Sequence, residues 1–424
     1  MARGFGDIDL SPVIGRRPVP GPDYLTVTVP TPDPASSGLP VLVFLHGGGF
    51  QTGTGSAALY DGTGFARDGV VLVTLNYRLG IPGWLHLPGA PANRGLLDAL
   101  AALRWVRENV AAFGGDPATV TVAGQSAGAM IVTALLALAA AEGLFARAVS
   151  QSGGDGCVVP GSYATESTRW VATELGIPAT AQDFAELDDP LLMEVAARMP
   201  LPDPVAHGFL DTSVGGSPFK LVIDGELLTN QPVDALTTGP GRRVDLLVGS
   251  TADEANLYLV PSRRWAETED TGLLTAARRR FAAPEERVAR ARSDHPGRTA
   301  GELTSILITE AFIDGTRRLT EAHAAQAGRT YAYEFRWRSG AFDGRLGACH
   351  GVELPFVFDR TELEDLRGEH ALLGPASPRS GLANRTHAAW VAFAATGDPG
   401  WTPYTAREPI TMAIDEVWKE FRSV

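Results

Sequence analysis

Short runs of apolar residues alternate along this chain with segments in which apolar side chains recur every three or four positions. Runs of the first kind are rich in Val and Leu, as strands buried on both faces are. Segments of the second kind are typical of helices that pack along one face. The strand-like runs are residues 24–29, 39–45, 70–75, 120–123, 145–150, 244–249 and 330–335, and the clearest helical segments are 96–113, 129–144 and 270–329.

This alternation predicts an α/β fold with a mostly parallel central sheet flanked by helices, since each strand is almost wholly apolar. The 424 residues contain no internal repeat and no long linker, so we expect one domain over 1–424. Looser helical pieces at 155–235 and 255–330 interrupt the pattern. We expect both to be insertions that form a lid or walls over a pocket.

Polar residues collect where several of the predicted strands end. His46 and three glycines follow one strand, residues 76–78 (NYR) follow another, and Ser126 follows a third. The carboxyl ends of parallel strands meet at one edge of a sheet, where such folds bind their ligands. One active site at that edge is therefore expected.

Ser126 lies in the pentapeptide GQSAG at 124–128, between the strand at 120–123 and a helical segment. The pentapeptide alone has little specificity in a chain with 48 glycines. A strand before it and a helix after it are the context of a nucleophile elbow, a strained turn that exposes the serine hydroxyl. Ser126 is therefore the candidate nucleophile.

A serine hydroxyl is a weak nucleophile and needs a histidine base that is oriented by a carboxylate. In this architecture the chain order is serine, acid, histidine. His350 follows the strand at 330–335 and is the candidate base, whereas His46 precedes the serine and suits a loop anchor. Asp253 and Glu254 both follow the strand at 244–249, and their position alone does not separate them.

Backbone amides for a developing oxyanion are available at two places. Residues 47–49 are glycines directly after a strand, so no side chain obstructs their N–H groups. The amide of Ala127 follows the nucleophile at a helix N-terminus.

Composition excludes several other classes of function. The net charge of −13 disfavours nucleic acid and anionic membrane surfaces as partners. No apolar run is long enough to span a membrane, and the first residues lack an apolar signal core, so we expect a cytoplasmic protein. The two cysteines form no C-x-x-C, and no zinc, dinucleotide or phosphate-loop motif occurs, so no metal or cofactor is expected. Residues 278–280, all arginine, suit a solvated helix face.

Together these motifs resemble the type-B carboxylesterase family, the cholinesterase-like branch of the α/β-hydrolases. The matching stretches are HGGGF at 46–50, NYRLG at 76–80, residues 95–117, GQSAG at 124–128, GLFARAVSQSGG at 143–154, DGELL at 224–228, DE at 253–254, GACHGVELPFVF at 347–358 and FAATGDPGW at 393–401. The resemblance implies the α/β-hydrolase fold. It implies Ser126 as nucleophile, His350 as base and Glu254, rather than Asp253, as acid.

The resemblance also implies Gly48, Gly49 and Ala127 as the oxyanion donors, and Ser152 as a serine placed behind the acid. The chain departs from the family pattern in places. Gln125 precedes the nucleophile where glutamate is commoner, which alters a buried polar contact rather than the chemistry. Ala255 stands where a glycine usually follows the acid, and the chain is shorter than typical members.

The function that follows is a serine carboxylic-ester hydrolase that acts on a small-molecule ester through an acyl-enzyme, without a cofactor. The same residues equally suit a lactonase, thioesterase, deacylase or acyltransferase of a biosynthetic pathway. A non-catalytic binding scaffold on the same fold is the remaining alternative. Phe50, Trp84 and the two insertions are the expected pocket walls, and the sequence leaves the oligomeric state open.

Overall fold

The computed structural model describes residues 6–15, 24–156 and 158–423. The strands in these ranges are β1 (Val27–Thr28), β2 (Val41–Leu45), β3 (Val71–Leu75), β4 (Thr121–Gln125), β5 (Arg147–Gln151), β6 (Val158–Pro160), β7 (Leu221–Ile223), β8 (Asp245–Thr251), β9 (Thr330–Phe335), β10 (Ile410–Ile414) and β11 (Lys419–Arg422). Residues 1–5 and 16–23, Cys157 and Val424 lie outside the described residues.

Helices lie between most of these strands. They are α1 (Ser11–Ile14), α2 (Thr63–Arg67), α3 (Gly80–Trp84), α4 (Arg94–Asn109), α5 (Ala127–Ala137), α6 (Gly161–Leu175), α7 (Ala181–Ala185), α8 (Asp189–Ala196), α9 (Pro232–Ala235), α10 (Asn256–Leu259), α11 (Arg264–Glu267), α12 (Asp270–Arg278), α13 (Pro284–Asp294), α14 (Ala300–Ala324), α15 (Leu354–Val357) and α16 (Ser380–Thr396). None of the helices in the described ranges is long and apolar enough to cross a membrane.

Nine strands form one sheet in the order β1-β3-β2-β4-β5-β8-β9-β10-β11. Every neighbouring pair from β3 to β10 is parallel, and only the edge strands β1 and β11 run antiparallel to their neighbours. Strands β6 and β7 form a separate parallel pair. The predicted mostly parallel sheet of an α/β-hydrolase is therefore confirmed.

Helices cover both faces of the sheet, as its apolar strands require. In β2, the side chains of Val41, Val43 and Leu45 pack into the core that contains α4 and α5. Leu42 and Phe44, which alternate with them, pack into a second core that contains α15 and α16. This alternation explains why the strand has no polar position to mark a solvent face.

The helix after Ser126 ends earlier than the apolar pattern predicts. α5 stops at Ala137, and Leu138 is extended (φ −86°, ψ 120°), whereas the prediction ran to 144. Gly239 and Gly241 pack closely against Leu136 and Ala137 at this helix end. A Cβ on either glycine would lie within 3 Å of Leu136 O, so a larger residue would not fit. This contact comes from a distant part of the chain, so the local pattern does not contain it.

The two ends of the sheet also differ from the prediction. Of the strand expected at 24–29, only β1 pairs, as a short exposed edge strand. Beyond Trp401, the chain adds β10 and β11, which the sequence patterns did not indicate. The stretch 255–330 is largely helical and contains α10–α14. The stretch 155–235 contains α6–α9 together with β6, β7 and irregular segments, so it is less helical than predicted.

Candidate active site

The candidate residues lie at the carboxyl ends of four strands of the sheet. The three glycines follow β2, Ser126 follows β4, and the segments that carry Glu254 and His350 follow β8 and β9. Since β5 alone separates β4 from β8 in the sheet, these ends lie side by side. The strand order therefore brings together residues that are up to 224 positions apart in the sequence, from Ser126 to His350.

Ser126 has the backbone conformation of a strained elbow (φ 55°, ψ −121°) between β4 and α5. Its amide donates to Gln151 O at 2.9 Å, and its carbonyl accepts from Met130 N. A Cβ on Gly124 would lie 2.4 Å from the Gly128 carbonyl carbon, and a Cβ on Gly128 would lie 2.0 Å from Leu45 O. The two glycines thus allow the helix to pack against the strands and hold the serine in this turn.

Glu254 and His350 form a buried acid–imidazole pair. Nδ1 of His350 lies 2.5 Å from Glu254 Oε2, and the two side chains are 4% and 0% exposed. The other carboxylate oxygen accepts from Ser152 Oγ at 2.6 Å and from the Thr251 amide at 2.8 Å. Both oxygens of the buried carboxylate therefore have donors, which fixes its orientation toward the ring.

Asp253, the neighbouring acid, turns away from the imidazole. Its carboxylate accepts from Arg338 Nη1 at 2.6 Å and from the Ala348 amide at 2.8 Å. Ala255, which replaces a glycine of the family pattern, has ordinary helical angles (φ −72°, ψ −15°) and donates its N–H to Thr309 Oγ1. An alanine at this position therefore costs no backbone strain.

The second nitrogen of the His350 ring contacts Gln125. Nε2 of the ring lies 3.1 Å from Gln125 Nε2. Among the hydrogen bonds of the described residues, none joins Ser126 Oγ to His350, whereas the Ser126 side chain hydrogen-bonds the Tyr258 hydroxyl. Burial is the main cause that raises the pKa of Tyr258 well above 10, and the Glu254 charge adds to it. Tyr258 is a site residue that our sequence reasoning missed.

The glycine loop, residues 47–49, lies beside Ser126, and two of its backbone N–H groups have no acceptor among the described residues. Gly48 and Gly49 have positive φ values of 115° and 61°, and Ser217 Oγ donates to Gly49 O at 2.5 Å. Within the described ranges, no acceptor pairs with the backbone N–H of Gly48 or Gly49. Ala127 is the first residue of α5, so its amide points out of a helix N-terminus.

Two other buried histidines have structural partners instead. His46 stacks on Tyr77 with a centroid distance of 4.5 Å and contacts Gly47 O, and burial lowers its pKa to about 4. His323 contacts Thr330 Oγ1 and Gly241 O, and burial lowers its pKa to about 4 as well.

A second buried carboxyl, Glu353, lies behind the imidazole. Burial and then the Glu254 charge raise the pKa of Glu353 to about 7, and Gln151 Nε2 donates to its Oε1 at 3.3 Å.

No group of three or more His, Cys, Asp or Glu residues suited to a metal ion occurs in the described parts of the chain.

Ser126 and His350 open into a cavity of about 1600 Å³, larger than the usual range for small-molecule sites. Both helical stretches contribute to its lining, through segments around 189–201, 213–220 and 257–280. Phe50 lines the cavity as expected, but the expectation for Trp84 is wrong, since Trp84 is buried against Phe50 with a centroid distance of 4.1 Å. Arg279 and Arg280 also line the cavity, so they are not part of a solvated helix face.

The sheet, the elbow and the acid–imidazole pair define an α/β-hydrolase with a serine at the nucleophile position. The carboxylesterase family model matches residues 23–423, and the chain belongs to that family. It is a carboxylic-ester hydrolase.

Named relatives agree with this assignment. The para-nitrobenzyl esterase of Bacillus subtilis is 33% identical over 414 residues, 93% of this chain and 79% of the relative. The fumonisin B1 esterase of Sphingopyxis macrogoltabida is 34% identical over 89% of this chain and 68% of the relative. A solved para-nitrobenzyl esterase structure superposes with a TM-score of 0.81 at 31% identity, covering 97% of this chain and 84% of the other. A solved Geobacillus stearothermophilus carboxylesterase structure superposes with a TM-score of 0.80 at 31% identity, covering 96% of this chain and 85% of the other.

Proposed function

We propose that Ser126, His350 and Glu254 catalyse ester hydrolysis through an acyl-enzyme. In the first step, Nε2 of His350 takes the hydroxyl proton of Ser126 as Oγ attacks the ester carbonyl carbon. The tetrahedral intermediate collapses, the bond to the alcohol oxygen breaks, and His350 returns the proton to the leaving alcohol. Water, deprotonated by the same nitrogen, then attacks the acyl-serine and releases the acid.

The contact that carries this proposal is the buried pair of Glu254 and His350, 2.5 Å apart at the strand ends next to Ser126. Because Glu254 accepts from Nδ1, the proton of the neutral ring stays on Nδ1 and the lone pair stays on Nε2. The carboxylate then stabilises the imidazolium that forms in each step. Ser152 supports the reaction indirectly, since its hydroxyl holds Glu254 Oε1.

Gly48, Gly49 and Ala127 are the proposed oxyanion donors. Their amides border the same cavity as Ser126, and those of Gly48 and Gly49 have no acceptor in the described part of the protein. A donor of this kind contributes about 3–4 kcal/mol when it meets the charge that develops in the transition state. The helical stretches 155–235 and 255–330 would wall the cavity and hold the substrate over these donors.

The same groups support acyl transfer to or from lactones, thioesters or amides, because every such reaction passes through an acyl-serine. A non-catalytic scaffold is disfavoured, since Ser126, His350 and Glu254 are all present. The cytoplasmic location stays a prediction.

The test is covalent labelling combined with kinetics. We expect an organophosphonate to label Ser126, as located by peptide mass spectrometry, and Ser126→Ala to lower para-nitrophenyl ester turnover at least about 10⁴-fold. Ser150→Ala is the matched control, because Ser150 is buried on the neighbouring strand β5, away from the cavity lining. Full turnover by the folded Ser126→Ala protein would refute the proposal.

A further inference from the structure

Residues 6–15, which we call the strap, contact two segments that lie far from them in the sequence. The Asp7 amide donates to Pro261 O at 3.0 Å, in the turn between α10 and α11. The Asp9 amide donates to His370 O at 3.4 Å, in the segment between α15 and α16. These backbone contacts fix the first half of the strap against the segments that follow β8 and β9.

The second half of the strap contacts a third segment. A Cβ on Gly15 would lie 2.6 Å from Thr54 Cγ2, and α1 packs against the turn at residues 58–60. Both belong to the segment that follows the glycine loop at 47–49. The strap therefore connects three segments that begin at the carboxyl ends of the sheet strands, where Ser126 and His350 also lie.

Aliphatic side chains of the strap form part of the cavity wall. Leu10 and Val13 are 6% and 9% exposed, Ile14 is half-buried, and all three line the same cavity as Ser126. Ile8 is equally buried, at 8%, but it is not among the described residues that line the cavity. The strap thus has buried residues of two kinds, which face different surroundings.

The strap lies at the end of the cavity that contains His350. Leu10 and Val13 belong to the second apolar core, together with Val352, which is two residues after His350. Leu192, which lines the cavity from α8, belongs to the core on the other face of the sheet. The strap and α8 therefore wall the cavity from different sides.

A second contact supports this position. The ring of Tyr258 lies 5.6 Å from the His350 ring, measured between centroids. Pro261, which accepts from the Asp7 amide, is three residues further along the chain, a span of at most about 11 Å. Tyr258 also packs against the apolar core that contains Leu10.

The mechanism that we propose assigns a part of the substrate to this end of the cavity. As the acyl C–O bond breaks, Nε2 of His350 returns the proton that it took from Ser126 to the alcohol oxygen. The alcohol oxygen must then lie beside Nε2, whereas the carbonyl oxygen lies beside the amides of Gly48 and Gly49. The alcohol group therefore extends toward the His350 end, and the acyl group extends toward α8.

We propose that Leu10, Val13 and Ile14 form the wall that limits the size of the alcohol group of the ester. This inference rests on the proposed function of Ser126. An aliphatic wall discriminates by shape, and one methylene group in an apolar pocket changes kcat/KM about 10- to 200-fold. The strap is therefore a specificity determinant that takes no part in the bond changes.

The experiment uses two series of esters. The first contains acetates of alcohols of increasing size, from ethanol to cyclohexylmethanol, with the released acid measured by titration at constant pH. The second contains para-nitrophenyl esters from acetate to octanoate, in which only the acyl group changes. Comparing the two series shows which part of the substrate meets the strap.

Substitutions at Val13 should move the size limit in both directions. We expect Val13→Ala to raise the ratio of kcat/KM for cyclohexylmethyl acetate over ethyl acetate about tenfold, and Val13→Phe to lower it by a similar factor. In the acyl series, each variant should change every member by the same factor, because the alcohol is constant. Ile14→Ala, at a half-buried position that tolerates truncation, should also raise the ratio and serves if the Val13 variants do not fold.

Ile8→Ala is the matched control, because Ile8 is a buried strap residue outside the described cavity lining. It removes apolar contacts of the same kind, so thermal melting should show a similar loss of stability. The ratio between the two acetates should nevertheless equal that of the wild type. A shift in Ile8→Ala as large as that in Val13→Ala would indicate general loosening of the strap and would overturn the proposal.

The other outcomes separate this inference from the proposed function. An unchanged alcohol ratio in folded Val13 and Ile14 variants would refute the wall, and so would a shift confined to the acyl series. In either case, turnover and labelling of Ser126 would leave the proposed function intact. Absence of turnover for every ester, together with no labelling of Ser126, would refute the proposed function itself.

Discussion

The side-chain amide nitrogen of Gln125 lies 3.1 Å from Nε2 of His350. Since Glu254 engages Nδ1 of the same ring, Nε2 carries the lone pair and accepts the hydrogen bond from Gln125. In the mechanism that we propose, this nitrogen takes the proton of Ser126. Gln125 therefore contacts the imidazole in this structure, and the proposed mechanism requires the ring to exchange this donor for Ser126 as the reaction begins.

We expect Gln125→Glu to move the acidic limb of the kcat/KM profile to higher pH. A carboxylate at this position would favour the protonated imidazole, which cannot act as a base, so the rate would be lost at a higher pH than in the wild type. Gln125→Met, of similar size and without charge, should leave the limb in place. Identical limbs in all three proteins, measured with one ester, would contradict the assigned contact.

Ser152→Ala should lower kcat by about ten- to a hundredfold, because a hydrogen bond to a charged group contributes about 1.5–3 kcal/mol. The variant leaves Glu254 Oε1 with the Thr251 amide as its remaining donor. Ser150→Ala serves as the control, since Ser150 Oγ is buried and has no hydrogen-bond partner among the described residues. Equal kinetics for both variants would remove Ser152 from the support of the acid.

Gly48→Ala should lower kcat about 10²–10³-fold while the protein stays folded. Gly48 has φ 115°, and a Cβ there would lie 2.1 Å from Thr52 O, so the loop must move its amides away from Ser126. Gly38→Ala tests backbone strain alone, because Gly38 has φ 76° with no atom within 4 Å of the added carbon. Kinetics and thermal melting of both variants distinguish displaced donors from general destabilisation.

Glu353→Gln should change how stability depends on pH. The pKa of Glu353 is raised from 4.5 to about 7, so between these values the native state binds more protons than the unfolded state, and the free energy of unfolding falls as pH rises. The glutamine removes that loss. Between pH 5 and pH 8, the free energy of unfolding of the variant should therefore rise by up to about 3 kcal/mol relative to that of the wild type.

Urea unfolding at pH 5 and at pH 8 measures this difference. Glu364→Gln is the control, because Glu364 is an exposed carboxyl in the same part of the chain. If Glu353→Gln and Glu364→Gln show the same change with pH, the buried carboxyl does not titrate in this window.

The central sheet was predictable because its strands are apolar on both faces and end in turn residues. β2, β3 and β9 lie within two residues of the predicted runs. Ser126 was predicted as the nucleophile from its position directly after β4. His350 was predicted as the base from the chain order of serine, acid and histidine, and it lies in the segment after β9. Asp253 and Glu254 could not be separated by position alone, since only tertiary contacts with Arg338 and His350 orient them.

Other features depend on contacts between distant segments. The end of α5 packs against Gly239 and Gly241, and the position of Tyr258 beside Ser126 follows from the fold of the segment after β8. Arg279 and Arg280 belong to a run of three similar residues, so no local pattern distinguishes the exposed Arg278 from its neighbours. Their surroundings follow from the contact of that turn with residues 211–213, where Asp211 N donates to Arg279 O.

The opposite orientations of Asp253 and Glu254 make the turn after β8 sensitive to its length. Surface turns usually tolerate the gain or loss of a residue. Here a single insertion or deletion between Thr251 and Asp253 would move Glu254 away from the imidazole. It would also break the hydrogen bond that the Asp253 carboxylate accepts from the Ala348 amide. During divergence, we therefore expect this turn to change in composition while its number of residues stays constant.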